Sequence, residues 1–440
     1  MMHTEGIRDV IRYIRKFKGS TIVIRIDDDV IDSPLFSTHI HDLALLHETG
    51  IRIVLVPGAH NHISRVLDSY DISWKMEDAI RTTTDEGTNF IMMAAFDVSN
   101  RIMARLSAER LTAVIGNWVR ARGRGVIDGV DYGSAGIVDK IQLDSLVCAL
   151  EDGFLPILPC IGWTSTGRPY NISSTELAVS VAVALKAEKL FFLGLGNTIS
   201  INDYTIPKTA DLSPEGRLAA LSVDDIDSFL EKNRTKTTDP HSLDKMTDLL
   251  VQARTACLKG VPRVHILDAD IDGVIPTEIF SDLGSGTMIY RNNYGTFRNM
   301  TRDDIPAVLS LMNPFVEKGV LLPRKNEEIE RRVKDFVVFE IDGGIRACAA
   351  LHIYQENMGE IAAIAVDEAY THMGIGPRLM KLLIQRGKTA KVSSIFVLTT
   401  QSADWFEKFG FSVANIDQLP KERREKWDTK RKSRMLLLSF

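Results

Sequence analysis

The chain has 440 residues, 45% of them hydrophobic and 25% charged, a balance that suits large buried cores and a length that calls for two or three domains. A formal net charge of -5 gives no basic field for nucleic acid, and the one basic run, KERREKWDTKRKSR, is interspersed with acids. Cys148, Cys160, Cys257 and Cys348 follow neither CxxC nor zinc-ligand spacing, which argues against a disulfide framework or a metal site and for a reducing, cytoplasmic compartment.

In chain order, Ile7, Val10, Ile11 and Ile14 form a helical stripe between Gly6 and Lys18 with basic residues opposite. The opening residues MMHTEGIRDVIRYIRKFKG carry charges throughout, and the longest apolar run, LAVSVAVAL, is too short to span a membrane, so no membrane partner is expected. TIVIRI and IRIVLVPGAH read as strands separated by a helix, and NISSTELAVSVAVALKAEKLFFLG as turn, helix and buried strand. Helices alternating with continuous apolar strands predict an α/β layer fold around a largely parallel sheet. Near GTMIYRNNYGTFRNMTRDDIPAVL the pattern resets through a polar turn, a fresh strand and a Thr-x-x-Asp helix start, which places a domain boundary at about residue 293. A smaller second part follows and ends in the strand-like RMLLLSF.

Within that part, EIAAIAVDEAYTHMGIGPRLMKLLIQRG leads from an apolar run through a polar turn into two glycines and an amphipathic pattern. Gly374 and Gly376 stand where a strand hands over to a helix, so backbone N–H groups can point outward beside the positive end of the helix dipole and cradle an anion. With LTTQSADWFEKFGF downstream, residues 296–440 resemble the GNAT superfamily of acetyl-CoA-dependent N-acetyltransferases. The resemblance implies an α+β domain. It places the CoA pyrophosphate on His372, Met373, Gly374, Ile375 and Gly376, the pantetheine arm on the main chain of Ile364 and Val366, and an additional charge at Arg378. It also gives Glu360 the position of a general base, which the chemistry needs because an ammonium must lose a proton before its nitrogen attacks a thioester. Thr371 stands where the family has Arg or Gln, and Phe406 where it often has a tyrosine that protonates the thiolate. A thiol pKa of ~8.5 lets the thiolate leave without that tyrosine.

Residues 1–293 resemble the amino-acid kinase fold, closest to acetylglutamate kinase, through IRIVLVPGAH, NISSTELAVSVAVALKAEKLFFLG and VHILDADIDGVIPTEIFSDLGSGTMI. Both domains in this order, with DGVDYGSAGIV and MNPFVEKGVLLPRKNEEIE, resemble the bacterial N-acetylglutamate synthase family over nearly the full chain. That resemblance implies an α/β sandwich followed by the GNAT domain, and transfer from acetyl-CoA to L-glutamate as the first step of arginine biosynthesis. It further implies regulation by L-arginine and a homo-oligomer, a hexamer. Asp27, Asp28 and Asp29 stand where active kinases have phosphate-binding glycines, and Thr175 where they have a catalytic aspartate, so phosphorylation is not expected. The arginine site falls on Tyr13, His265, Glu278 and Gly284. The two carboxylates of glutamate fall to Arg324 and Arg431, whose forked guanidinium suits them, with Thr399, Thr400, Gln401 and His352 nearby. His39, His41, His60 and His62 lack a third ligand nearby and read as loop or surface histidines rather than a metal site. Two other functions stay open on the sequence: a ligand-binding sensor without turnover, and an acetyltransferase for another amino acid or a protein lysine.

Overall fold

Strands buried along their whole length need a cover on both faces, and the helices of the first 292 residues supply it. The computed structural model describes residues 11, 14–15, 17–77, 80–207, 210–213, 215–233, 240–280, 285–291, 295–341, 343–368, 370, 375–427 and 431–440. Two units, Met1–Asn292 and Asn293–Phe440, are each taken by themselves.

In the first, the strands Thr21–Ile26, Arg52–Pro57, Lys189–Gly194 and Arg263–Asp268 pair in parallel at the centre of a nine-stranded sheet. Alternation along Thr21–Ile26 divides the side chains between two cores. Ile22, Ile24 and Ile26 pack with the helices Phe36–Glu48 and Gly87–Ala108, whereas Val23 packs with Ser174–Ala184 and the helix that ends at Leu258. Gly87–Ala108 faces the sheet through Ile91, Ala94, Ala95, Val98, Ile102 and Leu106, the spacing of one helical face. The result is the helix–sheet–helix sandwich of an amino-acid kinase fold. Among the described residues no helix is long and apolar enough to cross a membrane.

The second unit is one seven-stranded sheet in the order Thr296–Asn299, Phe336–Ile341, Gly344–Ile353, Met358–Val366, Ser394–Thr399, Arg434–Ser439, Ser412–Ala414. Met358–Val366 and Ser394–Thr399 are its parallel pair, and the helix Ile375–Thr389 makes the crossover between them. Their pairing stops at Ile361 opposite Val397, although both strands run on, so their far ends diverge. On its other edge Met358–Val366 carries a bulge, because Cys348 faces Ala365 while Ala350 faces Ala362. The extra residue Ala363 has φ +54°, a left-handed backbone that costs an alanine ~1 kcal/mol and that burial of the residue maintains.

One face of this sheet packs on Ile375–Thr389 through Leu351, Ile361, Ile395 and Leu383. The opposite face is covered in two pieces. Cys348 and Ala350 lie against the helix Ile305–Glu317, and Tyr354 and Phe396 against Leu419 and Trp427. His352, between Ala350 and Tyr354 on that face, therefore sits where the two covers meet, with Glu360 directly opposite on the next strand.

Candidate active site

Glu360 is 6% exposed, and both its carboxylate oxygens accept from neighbours while, among the described residues, Oε1 keeps a free lone pair. The Tyr354 hydroxyl donates to Oε2 at 2.6 Å, and Arg423 Nε donates to Oε1 at 3.0 Å and Oε2 at 3.2 Å. The phenol of Tyr354 is raised above its ordinary value by burial and by the carboxylate beside it, so it remains a donor. Across the register His352 is 3% exposed, with Nδ1 2.7 Å from Asp335 Oδ2 and its ring edge-on to Phe336. Arg324 lies over the same Phe336 ring at 5.9 Å and reaches Glu328 at 3.7 Å. Phe336 thus links the proposed carboxylate clamp to the histidine.

Arg431 donates to the carbonyl oxygens of Val320 at 2.6 Å and Gly319 at 3.5 Å, on the turn that leads to Arg324. Thr399 Oγ1 accepts from the N–H of Ser402 and of Gln401, so its hydroxyl caps the turn before the helix Ala403–Glu407, while Thr400 and Gln401 are exposed. Beyond Ile361 the main chain of Ile364 and Val366 has, among the described residues, no partner strand on the Ser394–Thr399 side, the edge a pantetheine amide would need. Ile375 and Gly376 begin the crossover helix, the Ile375 side chain buried in the core, and the first N–H groups of a helix have no intrahelical partner, which suits an anion. A Cβ on Gly376 would meet Trp405 at 3.5 Å and Val366 at 3.9 Å, ordinary contacts, so packing alone does not demand glycine there. Arg378 sits over the rings of Phe297 and Phe339 at 5.4 and 5.3 Å, its charge held by aromatic faces. His372, Met373 and Gly374, together with Thr371, lie outside the described residues. Phe406 is buried against Trp405 and Phe411.

In the first unit, His265 and Glu278 form a buried pair, Nδ1 to Oε1 2.6 Å, and Glu278 Oε2 accepts the N–H of Ser285 at 2.7 Å and of Gly286 at 2.9 Å. Lys189 Nζ lies 3.4 Å from His265 Nε2 and 5.4 Å from the centre of the Phe17 ring. Burial, reinforced by Lys189, pushes His265 down to about 4. Burial alone would raise Glu278, but His265, Lys189 and the Ser285 N–H together hold it at about 2. The carboxylate is therefore already satisfied within the protein, and a guanidinium would have to add to these contacts. Ser285 and Gly286 also line a cavity of about 260 Å³ with Asn197 and Arg217. Tyr13 and Gly284 lie outside the described residues.

At the kinase-like end the three aspartates do not present one acidic face. Asp27 turns inward to Arg25 Nη2 at 2.5 Å and to Lys245 Nζ at 3.1 Å, and Asp28 Oδ2 takes the His62 N–H at 2.7 Å. Burial alone would raise Asp27, but these two cations outweigh it and hold the carboxyl below its ordinary value. A Cβ on Gly194 would come within 2.7 Å of Asp27 Oδ2, so glycine there lets the cluster close. His39 is not at the surface but buried on the helix Phe36–Glu48, where its Nε2–H donates to the Ala269 carbonyl at 2.8 Å, and His41 on the same helix pairs with Glu109.

Tyr354, Arg423, Asp335, Lys189 and Lys245 escaped the sequence reading. Tyr354 had a usable signal, since it falls two residues after His352, just past the end of the strand Gly344–Ile353, where alternation carries it to the same face. Arg423, 63 residues from Glu360 and in the charged run, had none.

The amino acid kinase family matches residues 16–268, and the acetyltransferase (GNAT) family residues 305–411. The amino-acid acetyltransferase of Vibrio vulnificus strain CMCP6 is 33% identical, covering 99% of this chain and 98% of that protein. N-acetylglutamate synthase from Neisseria gonorrhoeae, complexed with coenzyme A and L-arginine, superposes with a TM-score of 0.82 at 29% identity over 100% of both chains. The same synthase complexed with coenzyme A and N-acetyl-glutamate gives 0.61 at 31% identity, covering 100% of this chain and 99% of that one.

Proposed function

The chain belongs to the amino-acid acetyltransferase family, and we propose on that basis that it moves the acetyl group of acetyl-CoA to the α-amine of L-glutamate, giving N-acetyl-L-glutamate and CoA. The observation that carries the reading is a buried carboxylate, Glu360, beside strands that diverge toward a helix N-terminus, in a chain similar along its whole length to such enzymes. The diverging main chain of Ile364 and Val366 takes the pantetheine arm, and the amides of Ile375 and Gly376, with those of His372, Met373 and Gly374, take the phosphates. Arg324 and Arg431 hold the two carboxylates of the acceptor. Glu360 accepts a proton from the acceptor's nitrogen, which then attacks the thioester directly, without a covalent acyl-enzyme. The protein works as a cytoplasmic homo-oligomer. Support comes from its free cysteines, with Cys257 and Cys348 pushed up to about 12 by burial, and from the N-terminal apolar stripe, which suits pairing with a second copy.

Thiol release from acetyl-CoA, followed with each amino acid in turn, tests this. Release with L-glutamate alone is expected. Release with another amino acid would change the acceptor, and release with none would leave a sensor. Arg324→Met or Arg431→Met should raise the L-glutamate KM by roughly ten- to a hundred-fold, the worth of a charge-assisted pair, while the acetyl-CoA KM changes little. Unchanged glutamate dependence in both variants would remove the clamp.

The kinase-like domain is proposed to regulate, with L-arginine bound near Tyr13, His265, Glu278 and Gly284, and not to phosphorylate. ATP with N-acetyl-L-glutamate should release no ADP, because Arg25 and Lys245 are already paired with Asp27 and Asp29, and Thr175 offers no carboxylate. Stoichiometric ADP from the pure protein would overturn that.

A further inference from the structure

Acetyl transfer to an ammonium removes two protons from one nitrogen. The first leaves before attack. The second leaves the tetrahedral adduct as the C–N bond becomes an amide and the C–S bond breaks, its electron pair departing with the thiolate. Glu360 can take one of these protons, but its oxygens already accept Tyr354 and Arg423.

We propose that His352, oriented by Asp335, is the second proton acceptor, an inference that rests on the acetyl transfer proposed above. Its position is the first support. His352 and Glu360 face each other directly on adjacent antiparallel strands, a register that sets their Cβ atoms ~5 Å apart on one side of the sheet, so both reach toward the same small volume. The second support is the tautomer. An ionised carboxylate only accepts, so Asp335 at 2.7 Å holds the proton on Nδ1 and leaves the lone pair of the neutral ring on Nε2. The third is that Nε2 is buried and has no hydrogen-bond partner among the described residues. A buried acceptor without a donor is costly to keep, and the nitrogen of the bound substrate would supply that donor once it enters between the two covers.

The balance closes. One proton goes to Glu360 and one to Nε2, the C–N bond forms and the C–S bond breaks. The thiolate recovers one proton from the imidazolium or from water, and one proton is released overall. Asp335 holds the ring through Nδ1 and faces the imidazolium as it forms, which makes it a positioning residue.

His352→Gln should lower kcat with L-glutamate about 100-fold, the usual worth of a positioned base, with the glutamate KM within a few-fold of the parent. Asp335→Asn, which leaves the ring in place but frees its tautomer, should lower kcat in the same direction with the same split. Nitrogen-15 NMR of the imidazoles tests the orientation without turnover: the parent should show His352 protonated at Nδ1, and Asp335→Asn should shift it toward Nε2. A His352→Gln variant with normal kcat and a raised glutamate KM would make His352 a carboxylate ligand and overturn the proposal, as would a parent protonated at Nε2 alone. Should the parent acetylate a different amine, the acceptor assignment fails instead, and the same variants are judged with that amine. A parent that acetylates nothing would overturn both.

Discussion

Glu360→Gln is expected to lower turnover at saturating acetyl-CoA and L-glutamate by on the order of 10² to 10⁴, the contribution of a positioned base. Glutamine keeps the volume and can still accept from Tyr354 and Arg423, so the loss should fall on kcat and leave both KM values within a few-fold. The charge that Arg423 faces disappears, and its side chain is 19% exposed, so some stability should go with it. A thermal melt beside the kinetics separates the two effects. A folded variant as active as the parent across pH would remove Glu360 from the chemistry and leave His352 as the sole proton acceptor on that face.

A second large effect is expected at Glu278. Glu278→Ala strips His265 of its partner and leaves the Ser285 and Gly286 N–H groups unsatisfied, which should cost ~3–5 kcal/mol of stability in the first unit. Loss of an arginine response in that variant would therefore be ambiguous. Glu278→Gln is the informative change, since it retains an acceptor for the loop amides. L-Arginine should depress acetyl transfer in the parent and lose most of that effect in Glu278→Gln, while turnover without arginine stays near the parent's. An effector shifts an equilibrium only by binding two states unequally, so calorimetry should also show weaker arginine binding in the variant. No arginine binding by the parent, or a variant as sensitive as the parent, would make this pair a purely structural element. Acid supplies an independent check. His265 and Glu278 are both held below their ordinary values of 6.5 and 4.5, at about 4 and about 2. Their stabilisation is complete above about 6.5 and is lost as pH falls first through the range of the histidine and then that of the carboxylate. The melting temperature of the parent should drop between pH 6.5 and 4.

The two-domain α/β architecture was legible because its signals are local. Thr21–Ile26 and Lys189–Gly194 are largely apolar runs, and Gly376 stands in the first turn of the helix that follows the strand Met358–Val366. The sequence also singled out Glu360 and His352, but not that they face each other. That depends on strand register and on the bulge at Ala363, where an alanine gives no hint of its left-handed backbone. Arg423 was hidden for a different reason. In sequence it is one cation among many in KERREKWDTKRKSR, and only the fold of that segment against Tyr354 and Phe396 brings its Nε to Glu360. Lys245 was hidden likewise, on a helix far along the chain from the aspartates it neutralises.

The cluster of Arg25, Asp27 and Lys245 has a physiological side. A domain that binds a nucleotide gains stability from it by mass action, so its folded population rises and falls with the nucleotide supply. Here the counter-charge to Arg25 and Lys245 is written into the polypeptide as Asp27 and Asp29, which takes the place an outside anion would fill. For the regulatory role proposed above, the consequence is a stability indifferent to the energy state of the cell, so that a response to free arginine would come unmixed with a response to ATP.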